Sequence, residues 1–482
     1  MEYVKLKYIT SNLTIEAEVP VNGSKVYLIT GKEDLGFHLI GGIIAGLFPL
    51  KGEIVNLPQF GALIEQYNGQ IIIEQGELPQ SVAYIDVDPD RNLFFSKVKE
   101  EIMVQLNNPT QQELENVLTK FGLDRSFLER HIHNLSGGEK VKVALAIAFS
   151  LDYSCYVLHG VVPWLDKKGR EFLKNEVNSA KKKGKCIIFL EHEFSSLKNI
   201  IDEVFIYNGK TIQRSEREYI FIDPKLQEKL QVFSMLKLKE QSMSCDPVLE
   251  FEGVTLHNYP YPEAVRENPL LNGVSFKLNF GDFYTLIGEN GAGKSTIARL
   301  AIKVLKPDNG TIKFCGNPIQ YLDRRKLVNQ ICYISQFPEQ QVTLSTIGQY
   351  REKVISKDCK LKQRLFDKYF QNFINEHPVS SLTVFDIKLL LLITFITNET
   401  KLIILDEPTW GLDAEQQFVI FEVLEDIFKQ LSITLLIITH NLTLVSLLNS
   451  KILWLKDGEI LSFENIDALK KYNSVSSYFD FA

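Results

Sequence analysis

The chain has 482 residues, of which 45% are hydrophobic and 23% charged, and its formal net charge is −7. At roughly 150 residues per domain this length predicts two to four domains. The acidic balance argues against the basic surface that sequence-independent nucleic-acid binding needs, so no nucleic-acid partner is expected.

Two further patterns narrow the class of protein. The six cysteines include no Cys-x-x-Cys pair, which disfavours a metal site or a disulfide framework and suits a reducing cytoplasm. The longest apolar stretch, residues 37–50, contains His38 and several glycines and falls short of the roughly 18 residues of a membrane span. We therefore expect the chain to act at a membrane only by docking onto a partner that spans it.

Short apolar, β-branched runs alternate with helical stretches along the chain, which is typical of an α/β fold with a parallel sheet. In chain order the clearest are strand 186–190, helix 298–305, strand 402–405, helix 416–431 and strand 435–438. A more polar segment before Leu135, and another before Leu382, predicts a helical subdomain in each half.

Three landmarks of the first half recur in the second half at nearly one spacing. Residues 135–139 (Leu-Ser-Gly-Gly-Glu) align with 382–386 (Leu-Thr-Val-Phe-Asp), and Asp166 aligns with Asp413, each 247 residues later. His192 aligns with His440 at a spacing of 248. Such self-similarity indicates a duplicated domain. We predict a first domain over 1–215, a linker over 216–247 and a second domain over 248–482.

The second copy carries a phosphate-binding loop. Residues 288–296 (Gly-Glu-Asn-Gly-Ala-Gly-Lys-Ser-Thr) follow an apolar strand and open a helical run, which is the context that a P-loop requires. Its glycines let backbone N–H groups turn toward phosphate oxygens, while Lys294 faces the β- and γ-phosphates of ATP and Ser295 supplies an oxygen to Mg²⁺. The residues expected to bind nucleotide here are Gly288, Asn290, Gly291, Gly293, Lys294, Ser295 and Thr296.

A second strand of this copy, residues 402–405, ends in two carboxylates. Asp406 at the strand end is expected to hold Mg²⁺ through water. Glu407 is expected to polarise the water that attacks the γ-phosphate, because that role needs an acceptor within hydrogen-bond reach.

With these motifs the chain resembles the ABC ATPases over nearly the whole length of both copies. The resemblance implies two tandem P-loop NTPase domains, each with a mostly parallel sheet core, a small antiparallel β part and a helical subdomain. Ser136, Gly137 and Gly138 correspond to the signature motif, which in that family contacts the ATP held by the opposite domain.

The same resemblance implies further roles. Gln336 corresponds to the Q-loop glutamine, which senses Mg²⁺ and the attacking water, and His440 to the switch histidine that holds the γ-phosphate. Asp166 corresponds to the aspartate that crosses the interface, and Tyr259 to the aromatic residue that stacks on adenine, with Tyr261 as a close competitor.

The first copy has lost these nucleotide-binding residues. Phe37 stands in place of the P-loop lysine, and Asp34 replaces a glycine. His159 and Gly160 stand where the two carboxylates belong, and Val87 replaces the Q-loop glutamine. The second copy has instead lost its signature, because residues 382–386 read Leu-Thr-Val-Phe-Asp. All of these losses would fall on one composite site if the two domains pair head to tail. The other composite site would join the intact second-copy motifs to the intact first-copy signature.

The region after Val87 suggests a subclass. Residues 88–95 and 98–102 resemble the Q-loop region of energy-coupling-factor importers, in which two ATPases work beneath a transmembrane coupling protein. The resemblance implies transmembrane permease partners that bind the vitamin or metal-ion cargo, and a location at the cytoplasmic face of the membrane. An exporter ATPase and a tandem ABC protein acting on ribosomes remain as alternatives.

Overall fold

The computed structural model divides the chain into two compact units, residues 1–221 and 222–482. The structure describes residues 3–9, 14–21, 23–32, 35–47, 70–75, 77–192, 194–215, 247–257, 269–289, 291–355, 360–448 and 450–472. The predicted linker, apart from its last residue, lies outside these ranges, as do Tyr259, Tyr261, Asn290 and Asp34.

The described part of the first unit contains one sheet of nine strands in the order β4-β1-β2-β9-β8-β3-β7-β6-β5. The strands are β1 (Tyr3–Ile9), β2 (Thr14–Pro20), β3 (Val26–Gly31), β4 (Gln70–Gln75), β5 (Val82–Ile85), β6 (Cys155–His159), β7 (Cys186–Leu190), β8 (Glu203–Tyr207) and β9 (Thr211–Ser215). The β8-β3-β7-β6-β5 side is parallel, whereas β1 pairs antiparallel with β2 and β4. The antiparallel part therefore extends the same sheet.

Apolar residues determine where strands β6 and β7 of this sheet form. Every residue of β6 and β7 is buried, as expected for parallel strands covered on both faces. The prediction of a strand over 186–190 is confirmed. The helices that the structure describes in this unit are α1 (Leu35–Ile44), α2 (Val98–Gln105), α3 (Gln111–Thr119), α4 (Gly137–Ala148) and α5 (Lys167–Lys182). Helices α2 and α3 form the predicted helical segment before Leu135.

The second unit divides its strands between two sheets. They are β10 (Leu249–Leu256), β11 (Leu271–Leu278), β12 (Phe283–Gly288), β13 (Asn309–Phe314), β14 (Asn317–Pro318), β15 (Ile331–Ile334), β16 (Leu402–Asp406), β17 (Thr434–Ile438), β18 (Lys451–Lys456) and β19 (Glu459–Phe463). Among the described residues, one sheet is antiparallel with the order β11-β10-β13-β14, and the other has the order β15-β16-β17-β12-β18-β19. All neighbours in the second sheet are parallel except β18 and β19.

The structure also describes eight helices in the second unit. They are α6 (Lys294–Ala301), α7 (Arg324–Gln330), α8 (Ile347–Ile355), α9 (Lys360–Phe370), α10 (Val384–Phe395), α11 (Ala414–Gln430), α12 (Leu442–Leu448) and α13 (Ile466–Lys470). The strands predicted over 402–405 and 435–438 are confirmed within β16 and β17.

The helix predicted over 298–305 is confirmed for 298–301 only. It begins at Lys294, directly after left-handed Gly293, and ends at Ala301. Lys303 has a φ of +59°, a left-handed conformation that cannot continue a right-handed helix. The helix predicted over 416–431 begins two residues earlier, because Asp413 caps it by accepting a hydrogen bond from the amide of Gln416. Of the helices that the structure describes, none is long and apolar enough to cross a bilayer.

Candidate functional site

The phosphate-binding loop of the second unit has the backbone that its glycines predict. Gly291 and Gly293 have φ values of +76° and +106°, a region that side-chain-bearing residues rarely occupy. A Cβ on Gly288 would lie 2.6 Å from the carbonyl oxygen of Leu455 on β18. These glycines allow the chain to turn sharply between β12 and α6, so that the first amides of α6 face the loop.

Lys294 lies at the start of α6 with its ammonium inside this loop. Its Nζ donates hydrogen bonds to the carbonyl oxygens of Gly288 (2.9 Å) and Glu289 (3.0 Å), and the residue is only 8% exposed. Burial lowers the pKa of Lys294, although the carboxylates of Glu407, Asp406 and Glu289 oppose that shift. The ammonium is therefore held where a phosphate would meet it.

Asp406 ends β16 in a buried position next to the loop. Burial raises the pKa of its carboxyl group to about 6, although a hydrogen bond from Ser295 and the charge of Lys294 act in the opposite direction. The hydroxyl of Tyr333 donates to Asp406 Oδ2 at 3.4 Å. The oxygens of Asp406 and Ser295 are hard ligands of the type that Mg²⁺ prefers, and a divalent cation would favour the ionised form of a carboxyl that burial disfavours. These residues therefore fit a magnesium ion.

Glu407 has a left-handed backbone, with a φ of +48°, and its carboxylate is engaged on both oxygens. Oε1 lies 2.6 Å from Nδ1 of His440 and accepts from the His440 amide at 3.1 Å. Oε2 accepts from the hydroxyl of Thr439 at 2.8 Å. Burial raises the pKa of Glu407, but the charge and hydrogen bond of His440, with Lys294 and Thr439, outweigh it and the net shift is downward. The expected base and switch histidine thus pair directly.

The structure also describes two other predicted residues of this unit, Thr296 and Gln336. Thr296 is buried in α6. Gln336 is half-buried in the loop after β15. This loop is shaped by Gln341, which the sequence analysis missed. Gln341 accepts a hydrogen bond from the amide of Ser335 (2.8 Å) and donates one to the carbonyl of Tyr333 (3.0 Å).

In the first unit, aromatic packing occupies the position that corresponds to Lys294. Phe37 is 1% exposed, and its ring centroid lies 4.7 Å from that of His192 and 5.8 Å from that of His159. His159 also forms a 3.1 Å hydrogen bond with the hydroxyl of Tyr84. The residues that replace lysine and aspartate therefore form a packed aromatic cluster with the residue aligned to His440.

The strand ends of the first unit also carry their carboxylate at a different position from those of the second unit. Gly160, aligned with Glu407, has a φ of +61°, and a Cβ there would lie 2.4 Å from a methyl group of Val87. A carboxylate is present instead at Glu191, which aligns with Thr439. Glu191 is 2% exposed and accepts from the amide of Val162 at 2.8 Å. The sequence analysis missed Glu191, although the 248-residue spacing marks it.

The signature of the first unit lies at the N-terminus of α4, as predicted. Ser136 caps the helix, and its hydroxyl donates to the carboxylate of Glu139 at 2.8 Å. A Cβ on Gly137 would lie 2.2 Å from the ring of Trp164. The amide of Gly138 belongs to the first turn of this helix, where backbone N–H groups have no helical acceptor. The helix start is therefore suited to an anion.

Asp166 caps α5 in the same unit. Its Oδ1 accepts from the amide of Gly169 at 2.8 Å and forms a 3.0 Å ion pair with Lys142 of α4. Trp164 joins this region to the position of the lost Q-loop glutamine, since its indole N–H donates to the carbonyl of Val87 at 3.1 Å. The signature helix, Asp166 and Val87 are thus linked within one unit.

Comparison with known proteins matches these features to a family. Residues 271–410 match the family model described as ABC transporter. A Bacillus subtilis protein provisionally named HMP/thiamine import ATP-binding protein YkoD is 26% identical over 421 residues, which cover 79% of this chain and 75% of that protein. A Treponema denticola protein provisionally named ABC transporter ATP-binding protein is 26% identical over 450 residues, covering 90% of each chain.

The fold of the whole chain also has solved counterparts. The structure of an RNase-L Inhibitor superposes with a TM-score of 0.63 at 16% sequence identity, covering 98% of this chain and 92% of that one. A ribosome-bound archaeal Pelota and ABCE1 model contains a chain that superposes with a TM-score of 0.66 at 16% identity. At this identity the likeness concerns the fold. Residues 271–410 thus match the ABC transporter family, and the chain as a whole, with its two α/β units, is similar to ABC transporter ATP-binding proteins over most of its length.

Proposed function

We propose that this chain is the ATP-hydrolysing subunit of a membrane importer of the energy-coupling-factor type, for a vitamin or a metal ion. It would work at the cytoplasmic face of the membrane beneath transmembrane subunits that bind the cargo. Its domains would span residues 1–215 and 248–482, joined by a linker over 216–247. The two domains would close on one competent ATP site, and ATP hydrolysis would reopen them.

The observation that carries this proposal is the division of intact parts between the units. In the second unit, Lys294, Asp406, Glu407 and His440 lie together around the phosphate-binding loop. In the first unit, Phe37 fills the equivalent position, while the signature helix keeps its capped, glycine-rich start. Each unit thus holds the part that the other lacks, which favours a single composite site over two separate ones.

Within that site each group has a role that its contacts support. Lys294 would bind the β- and γ-phosphates of ATP, and Mg²⁺, held by Ser295 and Asp406, would offset their charge. Glu407 would leave its hydrogen bond with His440 and accept a proton from the attacking water. His440, released by this step, would face the γ-phosphate. The pairing of Glu407 with His440 therefore describes a resting arrangement.

The first unit offers a surface for a membrane partner. Phe94 and Phe95 are 54% and 39% exposed, although large apolar side chains are usually buried. Their two amides donate to a single oxygen of buried Glu101, at 2.7 and 2.9 Å. The side chain of Asn92 further bonds to both the amide and the carbonyl of Asp86. The segment is thus braced to present two phenylalanines, as a docking site for an apolar helix would require.

The composite site can be tested with matched signature variants. Gly138→Asp places a carboxylate in the first turn of α4 of the first unit, and Val384→Asp places one in the first turn of α10 of the second unit, one residue before the position that aligns with Gly138. Because an acidic residue suits a helix N-terminus, both helices should form. We expect ATP turnover to fall strongly in Gly138→Asp only. Equal turnover in the two variants would contradict the composite site.

The membrane partner can be tested by affinity purification from membranes in mild detergent. We expect multi-span proteins to co-purify with the chain, and the Phe94→Ser/Phe95→Ser variant to lose them while keeping its ATP turnover. Import of a labelled vitamin or metal ion into vesicles that contain the purified complex would separate an importer from an exporter. Co-purification with ribosomes instead would support the ribosomal alternative and reject the transporter.

A further inference from the structure

A buried lysine in the second unit contacts the turn that follows the catalytic strand. Lys388 lies on α10, the helix that begins at the altered signature of this unit, and is 3% exposed. We call residues 407–410, which follow β16, the 407–410 turn. Neither the nucleotide-binding motifs nor the signature comparison assigns a role to this lysine.

Lys388 uses its ammonium to hold this turn. Nζ donates to the carbonyl oxygens of Glu407 (3.1 Å), Pro408 (3.3 Å) and Trp410 (2.8 Å). An ammonium group has three N–H donors, so the three carbonyls match its full capacity. A buried positive charge is tolerated only with such partners. The contact therefore fixes the turn and the lysine together.

The conformation of the 407–410 turn requires a stabilising contact. Glu407 adopts a left-handed backbone conformation, with a φ of +48°, which is strained for a residue with a side chain. Pro408 follows it and has no N–H group of its own. The three carbonyl oxygens point toward one position, where their partial negative charges would repel one another without a cation. Because the Glu407 backbone sets the direction of its carboxylate, the lysine also controls where the expected base points.

The first unit supplies an internal comparison. Its equivalent residue, 247 positions earlier, is Val141, which is fully buried in α4. The corresponding turn there begins with Gly160 in place of the glutamate, and buried Glu191 holds the amide of Val162. Both helices form, so the fold does not require a lysine at this position. The lysine occurs in the unit whose turn carries the carboxylate.

We propose that Lys388 is a positioning residue for ATP hydrolysis. It holds the 407–410 turn so that the carboxylate of Glu407 faces the attacking water. Through this lysine, α10, the helix that begins at the altered signature, supports the nucleotide site of its own unit. The proposal rests on the proposed role of Glu407 as the base. It does not depend on how the two units pair.

The experiment measures ATP turnover of the full chain in three lysine variants. Lys388→Met keeps the length of the side chain and removes its charge, whereas Lys388→Arg keeps charge and donors. Lys362→Met is the matched control, because Lys362 is also fully buried and donates to a carbonyl, that of Thr394 at 2.5 Å, away from the turn. Turnover is expressed per chain able to bind ATP, so that partial unfolding does not count as lost activity.

We expect Lys388→Met to lower kcat by roughly tenfold to a hundredfold, with KM for ATP within about twofold, since a small misplacement of a catalytic group has an effect of this size. Lys388→Arg should recover most of the loss. Lys362→Met should lower the melting temperature but leave kcat unchanged. If Lys388→Met does not fold, Lys388→Gln, which keeps one donor group, replaces it with an intermediate kcat expected.

Three outcomes would overturn the proposal. An unchanged kcat in Lys388→Met would show that the lysine only stabilises the fold. A raised KM with normal kcat would place it in ATP binding. Equal losses of kcat in Lys362→Met and Lys388→Met would show a general effect of removing a buried lysine. Normal turnover in Glu407→Gln is a separate result, which would reject Glu407 as the base and with it the premise of the proposal.

Discussion

The aromatic cluster around Phe37 predicts that the first unit cannot gain an ATP site when its P-loop lysine is restored. Phe37→Lys would place an ammonium where a ring now packs between His192 and His159. The two strand-end positions that hold carboxylates in the second unit are His159 and Gly160 here. The new charge would thus be buried without the aspartate and glutamate that face Lys294.

The size of the destabilisation expected in Phe37→Lys follows from the burial of the Phe37 ring. Removing a fully buried phenylalanine costs about 3–5 kcal/mol, and Phe37 is 1% exposed. Burying an ammonium without a partner adds several kcal/mol more. The sum approaches the whole stability of a typical domain, about 5–15 kcal/mol. Phe37→Leu, which largely conserves volume, should cost only about 1–2 kcal/mol.

Chemical denaturation with and without Mg-ATP measures this effect. Nucleotide should stabilise the second unit more than the first, because the second unit holds the phosphate-binding loop, and this difference identifies its unfolding transition. We expect that in Phe37→Lys the unfolding transition of the first unit is lost or moves to a much lower denaturant concentration. The number of ATP molecules bound should stay at one per chain. A Phe37→Lys chain that binds two ATP molecules, or that unfolds at the midpoint of the wild type, would refute this account of the cluster.

Three further predictions concern single residues of the two sites. Glu407→Gln should lower turnover by about 10²–10⁴-fold and preserve ATP binding, because only the general base is removed; normal steady-state turnover would contradict it. Because Asp406 has a pKa of about 6, its ionisation destabilises the folded state as pH rises from about 4 through 6. Asp406→Asn should therefore stabilise the second unit in chelator by up to about 3 kcal/mol at pH 8 and by little at pH 4, and an equal gain at both would exclude this origin. Gly137→Ala should destabilise the first unit by about 1–3 kcal/mol, since its Cβ would lie 2.2 Å from Trp164; an unchanged unfolding midpoint would show that the indole moves freely.

The sequence predicted best what depends on local pattern. The strand over 186–190 was placed correctly because a continuous apolar run, bounded by polar residues, is typical of a buried parallel strand. The phosphate-binding loop predicted that a helix opens there, but the helical stretch over 298–305 was placed too late, because Lys294, Ser295 and Thr296 are polar and the apolar period begins only later in the helix. In the folded chain Gly293, not hydrophobicity, sets that start.

What the sequence could not predict depends on partners distant in the chain. Lys388 is a charged residue in a helix of leucines, and nothing in that helix indicates that its ammonium meets carbonyls 19 to 22 residues later. The same holds for Gln341, which shapes the loop of Gln336. Periodicity shows which face of an element is buried, but it does not show which buried polar groups meet.

The hydrogen bond from Trp164 to Val87 has a mechanical consequence. The indole touches Gly137 on one side and holds the backbone that leads to Phe94 and Phe95 on the other. A pull on the exposed phenylalanines would therefore act on α4 by two routes, through the indole and through the ion pair between Asp90 and Lys140 of α4. Since Gly137 leaves the ring almost no clearance, movement of the indole would also displace the first turn of α4.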